Sequence, residues 1–148
     1  MKNLISLKIL TSERTVYEDE VSKLILLTES GQIGILPNHC PLISIIKTGE
    51  IKIQKKNQKE IIPFSISEGI LEVRADSDKE NKNTEVIILA SRSELATELD
   101  IERAEESYKR AKKAMEDKDN LSDVDFAKFQ GIMEKELNRI KVGKKYKK

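Results

Sequence analysis

The chain has little of what a catalyst or a secreted protein uses. Among 148 residues there is one cysteine, Cys40, one histidine, His39, and no tryptophan. A single cysteine excludes a disulfide framework within the chain and suits a reducing compartment. A single histidine leaves no second imidazole for a metal site. A dyad of His39 with Cys40 has poor geometry, because adjacent side chains of an extended chain face opposite ways. Aromatic residues are 4%, and the strands present no rings for base stacking. No apolar run approaches the ~18 residues of a membrane-spanning helix. The start, Met1-Lys2-Asn3-Leu4-Ile5, lacks a signal-peptide apolar region and an Arg/Ser-rich transit segment, so the expected product stays where it is made, with no targeting peptide. With 27 basic against 26 acidic residues the net charge is +1, and no global field argues for nucleic acid or a membrane surface. No Walker-type phosphate loop exists, and the carboxylates lie in charge-mixed stretches. These absences predict a non-catalytic protein with no metal site and no required cofactor.

What is present divides in two. The length fits one domain plus an appendage. The first half reads as short strands around an aliphatic core. Leu4 to Leu10 places Ile5, Leu7 and Ile9 on one face; Val16 and Tyr17 start a short strand before Glu18-Asp19-Glu20. Val21 to Thr28 is apolar enough for a strand covered on both faces. Leu42–Ile46, Glu50–Lys56, a strand around Ile62, Phe64 and Ile66, one around Leu71, Val73 and Ala75, and Val86–Ala90 follow. Lys56-Asn57-Gln58-Lys59 is a hairpin tip, and the polar Asp76–Thr84 stretch is a loop. Many closely spaced strands without intervening helices predict an all-β sandwich or barrel.

From Asp100 the apolar period becomes helical, through Ile101, Ala104, Tyr108, Ala111 and Met115. Asp100 suits an N-cap, and Ser122 with Asp125 marks a second helix start. Phe126, Phe129, Met133, Leu137 and Ile140 form the second stripe, with Ile132 widening it. Two helices of roughly 17 to 20 residues joined by a polar link predict an antiparallel hairpin. The expected whole is α+β in two domains, with 1–92 a mostly β sandwich or barrel and 93–148 the helical hairpin.

The segment Gly31-Gln32-Ile33-Gly34-Ile35-Leu36-Pro37-Asn38-His39-Cys40-Pro41 predicts a short strand entering a proline-bounded corner at a sheet edge, with Asn38 and His39 at its tip. It also resembles the Gly-Gln/Glu-x-Gly-x-x-Pro-x-His-x-Pro segment of the F-type ATP synthase epsilon subunit. Gly69-Ile70-Leu71-Glu72-Val73 resembles that family's late strand, and Asp123-Val124-Asp125-Phe126-Ala127 the start of its second helix. Glu68 departs from the family's second glycine, and the loop after Ala75 looks longer than usual.

The resemblance implies a non-catalytic central-stalk subunit that couples proton flow to ATP synthesis and restrains ATP hydrolysis through its C-terminal helices. It implies as partners the gamma subunit, the c-ring and the alpha and beta subunits, and a peripheral place on the cytoplasmic face of the plasma (inner) membrane. Gln32 and His39 are then the candidate c-ring contacts; a purely structural corner is the other reading. Leu99-Asp100-Ile101-Glu102-Arg103-Ala104 resembles the family's ATP-binding signature. It makes Asp100, Arg103, Ala104, Arg110, Lys135, Arg139 and Glu94 candidates for holding ATP as a regulatory ligand, against an ordinary N-cap and surface arginines. The basic end, Lys141, Lys144, Lys145, Lys147 and Lys148, is the candidate inhibitory tail, or else simply solvated. The alternative function is a β-barrel plus coiled-coil protein that binds nucleic acid or a transcription complex; the near-neutral charge argues against it.

Overall fold

The computed structural model describes residues 3–75 and 84–147. The expected loop over Asp76–Thr84 therefore lies outside the described residues, except for Thr84, which opens a strand. The chain separates into two units, Met1–Leu95 and Ala96–Lys148.

The first unit is a ten-stranded sheet coiled on itself: β1 (Ile5–Leu10), β2 (Thr15–Val21), β3 (Lys23–Thr28), β4 (Gly31–Ile35), β5 (Leu42–Ile46), β6 (Gly49–Gln54), β7 (Ile61–Ile66), β8 (Gly69–Ala75), β9 (Thr84–Ala90) and β10 (Ser93–Leu95). The order is β10-β7-β6-β3-β5-β8-β9-β1-β2, with β4 joined to β3. β3 is where the sheet turns. Its first residues pair with β6, Thr28 pairs with Ile46 of β5, and its other edge holds β4. The alternating residues of both halves meet in one core, with Ile5, Leu24, Ile35, Ile46, Ile53 and Leu71 fully buried. Tyr17 closes it with its ring edge toward Phe64, centroids 5.4 Å apart. Burial and the Asp19 charge push the Tyr17 phenol up to about 12.

Several expectations need correction. The Val21–Thr28 run is not one strand covered on both faces. It bends at Ser22, and β3 alternates, with Leu24, Leu26 and Thr28 inward and Leu27 exposed. β2 does not stop before its acidic residues. Glu18 lies opposite Lys8 and meets it at 3.5 Å; Glu18 and Glu20 face solvent, while Asp19, opposite the buried Leu7, is half-buried and pairs with Lys55. Ala75 ends β8 exposed rather than inward. The parallel pairing of β1 with β9 and the strand β10, which extends the sheet past residue 92 along β7, were not expected. Gly69 is required at the β8–β9 register, because a Cβ there would lie 2.2 Å from the Leu89 carbonyl oxygen. Glu68 is exposed, and its carbonyl accepts from the Ser91 N–H.

The second unit holds α1 (Ile101–Glu116) and α2 (Asp123–Tyr146) with a 3-10 turn, Lys118–Asn120, between them. Both caps form as the sequence predicts. The Asp100 carboxylate accepts from Arg103 N–H at 3.1 Å, and the Ser122 hydroxyl from Asp125 N–H at 3.1 Å. α1 buries Ala104 and Ala111. α2 departs from expectation in length, at 24 residues, and in its buried face. Phe126 and Leu137 stand exposed, while Glu136, Arg139, Val142 and Gly143 are buried. Glu136 and Arg139 neutralise each other at 2.8 Å, which is what allows two charged side chains inside. Gly143 lets α2 approach the start of α1: a Cβ there would lie 2.9 Å from Ile101 Cγ1. Ala96, Leu99 and Val142 form this unit's small core, with Tyr146 against it.

Candidate functional site

The outer face of β5, β8, β9 and β1 carries an apolar row. Ile45 lies opposite Ile70, Ile70 opposite Leu89, and Leu89 opposite Leu10. Ile45, Ile70 and Leu89 are about half exposed, at 51%, 50% and 51%, and Ile43 on the same strand is 74% exposed. Farther along the same face the row gives way to satisfied charge, with Lys8 on Glu18 at 3.5 Å and Arg74 on Glu85 at 2.8 Å. Sequence reasoning missed this row. Its signal was available: Leu42-Ile43-Ser44-Ile45-Ile46 is apolar on both faces, and a strand of a two-layer sandwich buries one of them against its own core.

The Gly31–Pro41 corner forms an edge, since β4 pairs with β3 alone. Asn38 takes a left-handed φ of 70°. Its N–H donates to Thr84 Oγ1 at 2.6 Å, and its side-chain amide donates to Asn3 Oδ1 at 3.0 Å. Gln32 is exposed; His39 is half-buried rather than at a free tip, with Nδ1 2.7 Å from its neighbour's carbonyl oxygen. Cys40 is a free, exposed thiol.

The residues of the nucleotide signature are dispersed in environment. Asp100, Arg103 and Arg110 are exposed along α1, and Ala104 is buried. Lys135 is half-buried on α2. Arg139, 5% exposed, is held by Glu136, 6% exposed. Glu94 belongs to β10 and pairs with Arg92 at 2.9 Å. The basic end is no free tail, because α2 continues to Tyr146. Lys141, Lys144, Lys145 and Lys147 are exposed on and just beyond its last turns, while Lys148 lies outside the described residues. Lys144 reaches Glu105 of α1 at 3.2 Å, and Lys145 lies 5.2 Å from the Tyr146 ring centroid. Among the described residues no group of three or more metal-ligating side chains occurs, and no helix is long and apolar enough to cross a membrane.

Residues 4–96 match the model of the ATP synthase delta/epsilon chain β-sandwich domain, and residues 97–144 that of the delta/epsilon chain long α-helix domain. The chain belongs to the ATP synthase delta/epsilon family. It is 37% identical over 140 residues to the ATP synthase epsilon chain of Clostridium kluyveri, covering 95% of this chain and 97% of that one. It is 33% identical over 144 residues to the epsilon chain of Macrococcus caseolyticus, covering 96% and 98%. A chain of the Euglena gracilis mitochondrial ATP synthase shares the fold at 14% identity, with a TM-score of 0.71 over 93% of this chain and 80% of that one. As an epsilon-type member of the family, the chain is a non-catalytic rotor subunit of the ATP synthase. Nothing in these relatives supports the nucleic-acid alternative.

Proposed function

We propose that this subunit docks on the rotor through its sheet and restrains ATP hydrolysis through its helices. Residues 1–92 hold the gamma subunit and the c-ring at the cytoplasmic face of the membrane, and so help couple proton flow to ATP synthesis. Residues 93–148 regulate by reaching the alpha and beta subunits. The observation that carries the docking half is the outer row of Ile45, Ile70 and Leu89, half exposed on a sheet whose inner face is packed. Contiguous apolar surface of this kind marks a protein interface. Gln32 and His39, on the edge corner, face the c-ring in this reading. Because Ser93–Leu95 extend the sheet, the fragment that tests the division is 1–95. It should capture gamma as tightly as the whole chain in a pull-down. Capture by the whole chain alone would refute the division.

ATP is the regulatory ligand of the helices. Asp100 spends one carboxylate oxygen on its cap and keeps the other for an adenine amino group. Arg103 and Arg110, two turns apart and exposed, meet the phosphates. Lys135 supplies charge without arginine's fork, and Ala104 lies beside Arg103 on the same helix. Arg139 joins only by leaving Glu136. Bound ATP favours the closed hairpin by differential affinity. Calorimetry with millimolar ATP should show heat that is lost in Arg103→Ala; equal heats from the two proteins would contradict the site. When the hairpin opens, Lys141, Lys144, Lys145, Lys147 and Lys148 meet acidic surface on the beta subunits.

A further inference from the structure

Three turns of the first unit meet around a shallow groove of about 530 Å³: the Val21–Lys23 bend, the chain leaving β4 at Leu36, and the β6–β7 tip. Lys23, Lys55, Lys56 and Lys59 line it, and among the described residues no carboxylate does. In a chain with 27 basic and 26 acidic residues, four lysines without an acid in one lining is a local concentration of charge. Lys55 is spent internally. It grips the Asp19 carboxylate and, as the main cause, holds that carboxyl below its ordinary range. Lys56 and Lys59 are exposed, Lys23 is half-buried, and among the described residues no ion pair engages them.

The lysines ride on fixed backbone. Ser22 donates its N–H and its hydroxyl to the Gln54 carbonyl, at 2.8 and 2.9 Å. The Gln54 side-chain amide donates to the Gln58 carbonyl at 3.1 Å, and Asn57 turns the tip with φ 64°. Beside the cations stand two exposed aliphatic side chains, Leu36 at 55% in the lining and Ile61 at 46% opposite Gln54. Uncompensated cations next to exposed aliphatic groups match a lipid–water interface. Ammonium groups meet phosphates there while apolar side chains enter the headgroup boundary. An acidic peptide would use the lysines and leave Leu36 and Ile61 in water. A nucleic acid would find no aromatic ring in the lining.

We propose that this groove contacts the headgroups of anionic phospholipids, so that the rotor subunit glides on the membrane surface at this end of its sheet. A diffuse electrostatic contact suits a turning part, because it has no single geometry to break. The inference rests on the docking reading in one respect: Leu36 belongs to the same corner as Gln32 and His39, which brings the bilayer within reach.

The test is co-sedimentation of the full chain with vesicles of phosphatidylcholine, with and without phosphatidylglycerol. Binding is expected only with the anionic lipid, and should weaken as salt rises. Replacing Lys23, Lys56 and Lys59 together by glutamine should lower the partition about fivefold per lysine, roughly a hundredfold in all. Leu36→Ser should lower it further at high salt. All four positions lie on the surface or its margin, so the thermal midpoint should hold. The second cationic cluster serves as control: Lys141→Gln, Lys144→Gln, Lys145→Gln and Lys147→Gln combined should leave the partition nearly unchanged. Retained binding in the triple variant, or loss only in the α2 variant, would overturn the proposal. So would displacement by inorganic phosphate at constant ionic strength, which would make this a free-anion site. Failure to bind vesicles together with lysine-dependent binding to purified c-ring would assign the groove to an acidic protein surface instead. Capture of gamma by the same variants reports separately on the docking reading.

Discussion

Ile70→Glu should weaken capture of this subunit by gamma roughly thirtyfold or more while leaving its fold intact. Ile70 stands between Ile45 and Leu89 on the outer face, and its chain neighbour Leu71 points the other way into the core, fully buried. Strand side chains alternate, so a change at 70 reaches water and partner but not the packed layer. A glutamate at the centre of an apolar contact loses hydrophobic burial and buries an uncompensated charge. Central interface residues carry about 2–4 kcal/mol each. The expected loss is therefore roughly thirtyfold to a thousandfold in affinity, since each 1.4 kcal/mol is tenfold. The thermal midpoint should move by no more than a typical surface substitution. Val124→Glu, 78% exposed on α2, should leave capture unchanged. Unaltered capture by Ile70→Glu would remove the apolar row from the interface.

Gly143→Leu should lower ATP hydrolysis by the assembled enzyme. Position 143 has no room: even a Cβ would lie 2.9 Å from Ile101 Cγ1 and 3.2 Å from Cδ1. Overpacking of this kind costs about 1–3 kcal/mol, while losing a helical glycine returns up to about 1 kcal/mol. A net shift of one or two kcal/mol moves an equilibrium by a factor of about 5–30. The helices this contact holds together would open, and under the regulatory reading the open form is the restraining one. Neutralising Lys141, Lys144, Lys145 and Lys147 with glutamine should move the rate the other way, because the open form then loses its grip on acidic surface. The Lys144–Glu105 ion pair that this removes is exposed and contributes little. A faster rate in Gly143→Leu would mean that the closed hairpin restrains instead.

The sequence made the strands and caps readable where local chemistry decides them. Glu50 to Gln54 alternates, and Ile51 and Ile53 are indeed fully buried. Asp100 and Ser122 cap because a short oxygen-bearing side chain before an apolar period has few other uses. What stayed hidden depends on distant partners. β1 meets β9 across more than seventy residues, and β10 is three residues that form a strand only because β7 offers an edge. The buried face of α2 was hidden for another reason. Hydropathy sends Glu136 and Arg139 outward, but as a pair they go in, and Phe126 and Leu137 come out. The apolar row was hidden because hydropathy marks a residue as apolar without saying what covers it. Gln32 and the ATP candidates came from family resemblance, and His39 from the resemblance together with its place at the corner; the geometry gives Gln32 an edge, His39 a corner, Asp100 a cap, and Glu94 and Arg139 ion pairs.

The most direct test of the docking claim is to place a photo-reactive phenylalanine derivative at position 70 of the otherwise intact chain, assemble the enzyme, irradiate it, and identify the cross-linked subunit. A photo-reactive group is preferable to thiol chemistry because Cys40 is free and exposed. The same group at position 124 provides the comparison. The account predicts an adduct with gamma from position 70 and none from position 124. An adduct from position 70 with any subunit other than gamma, or no adduct in a fully assembled enzyme, would contradict it.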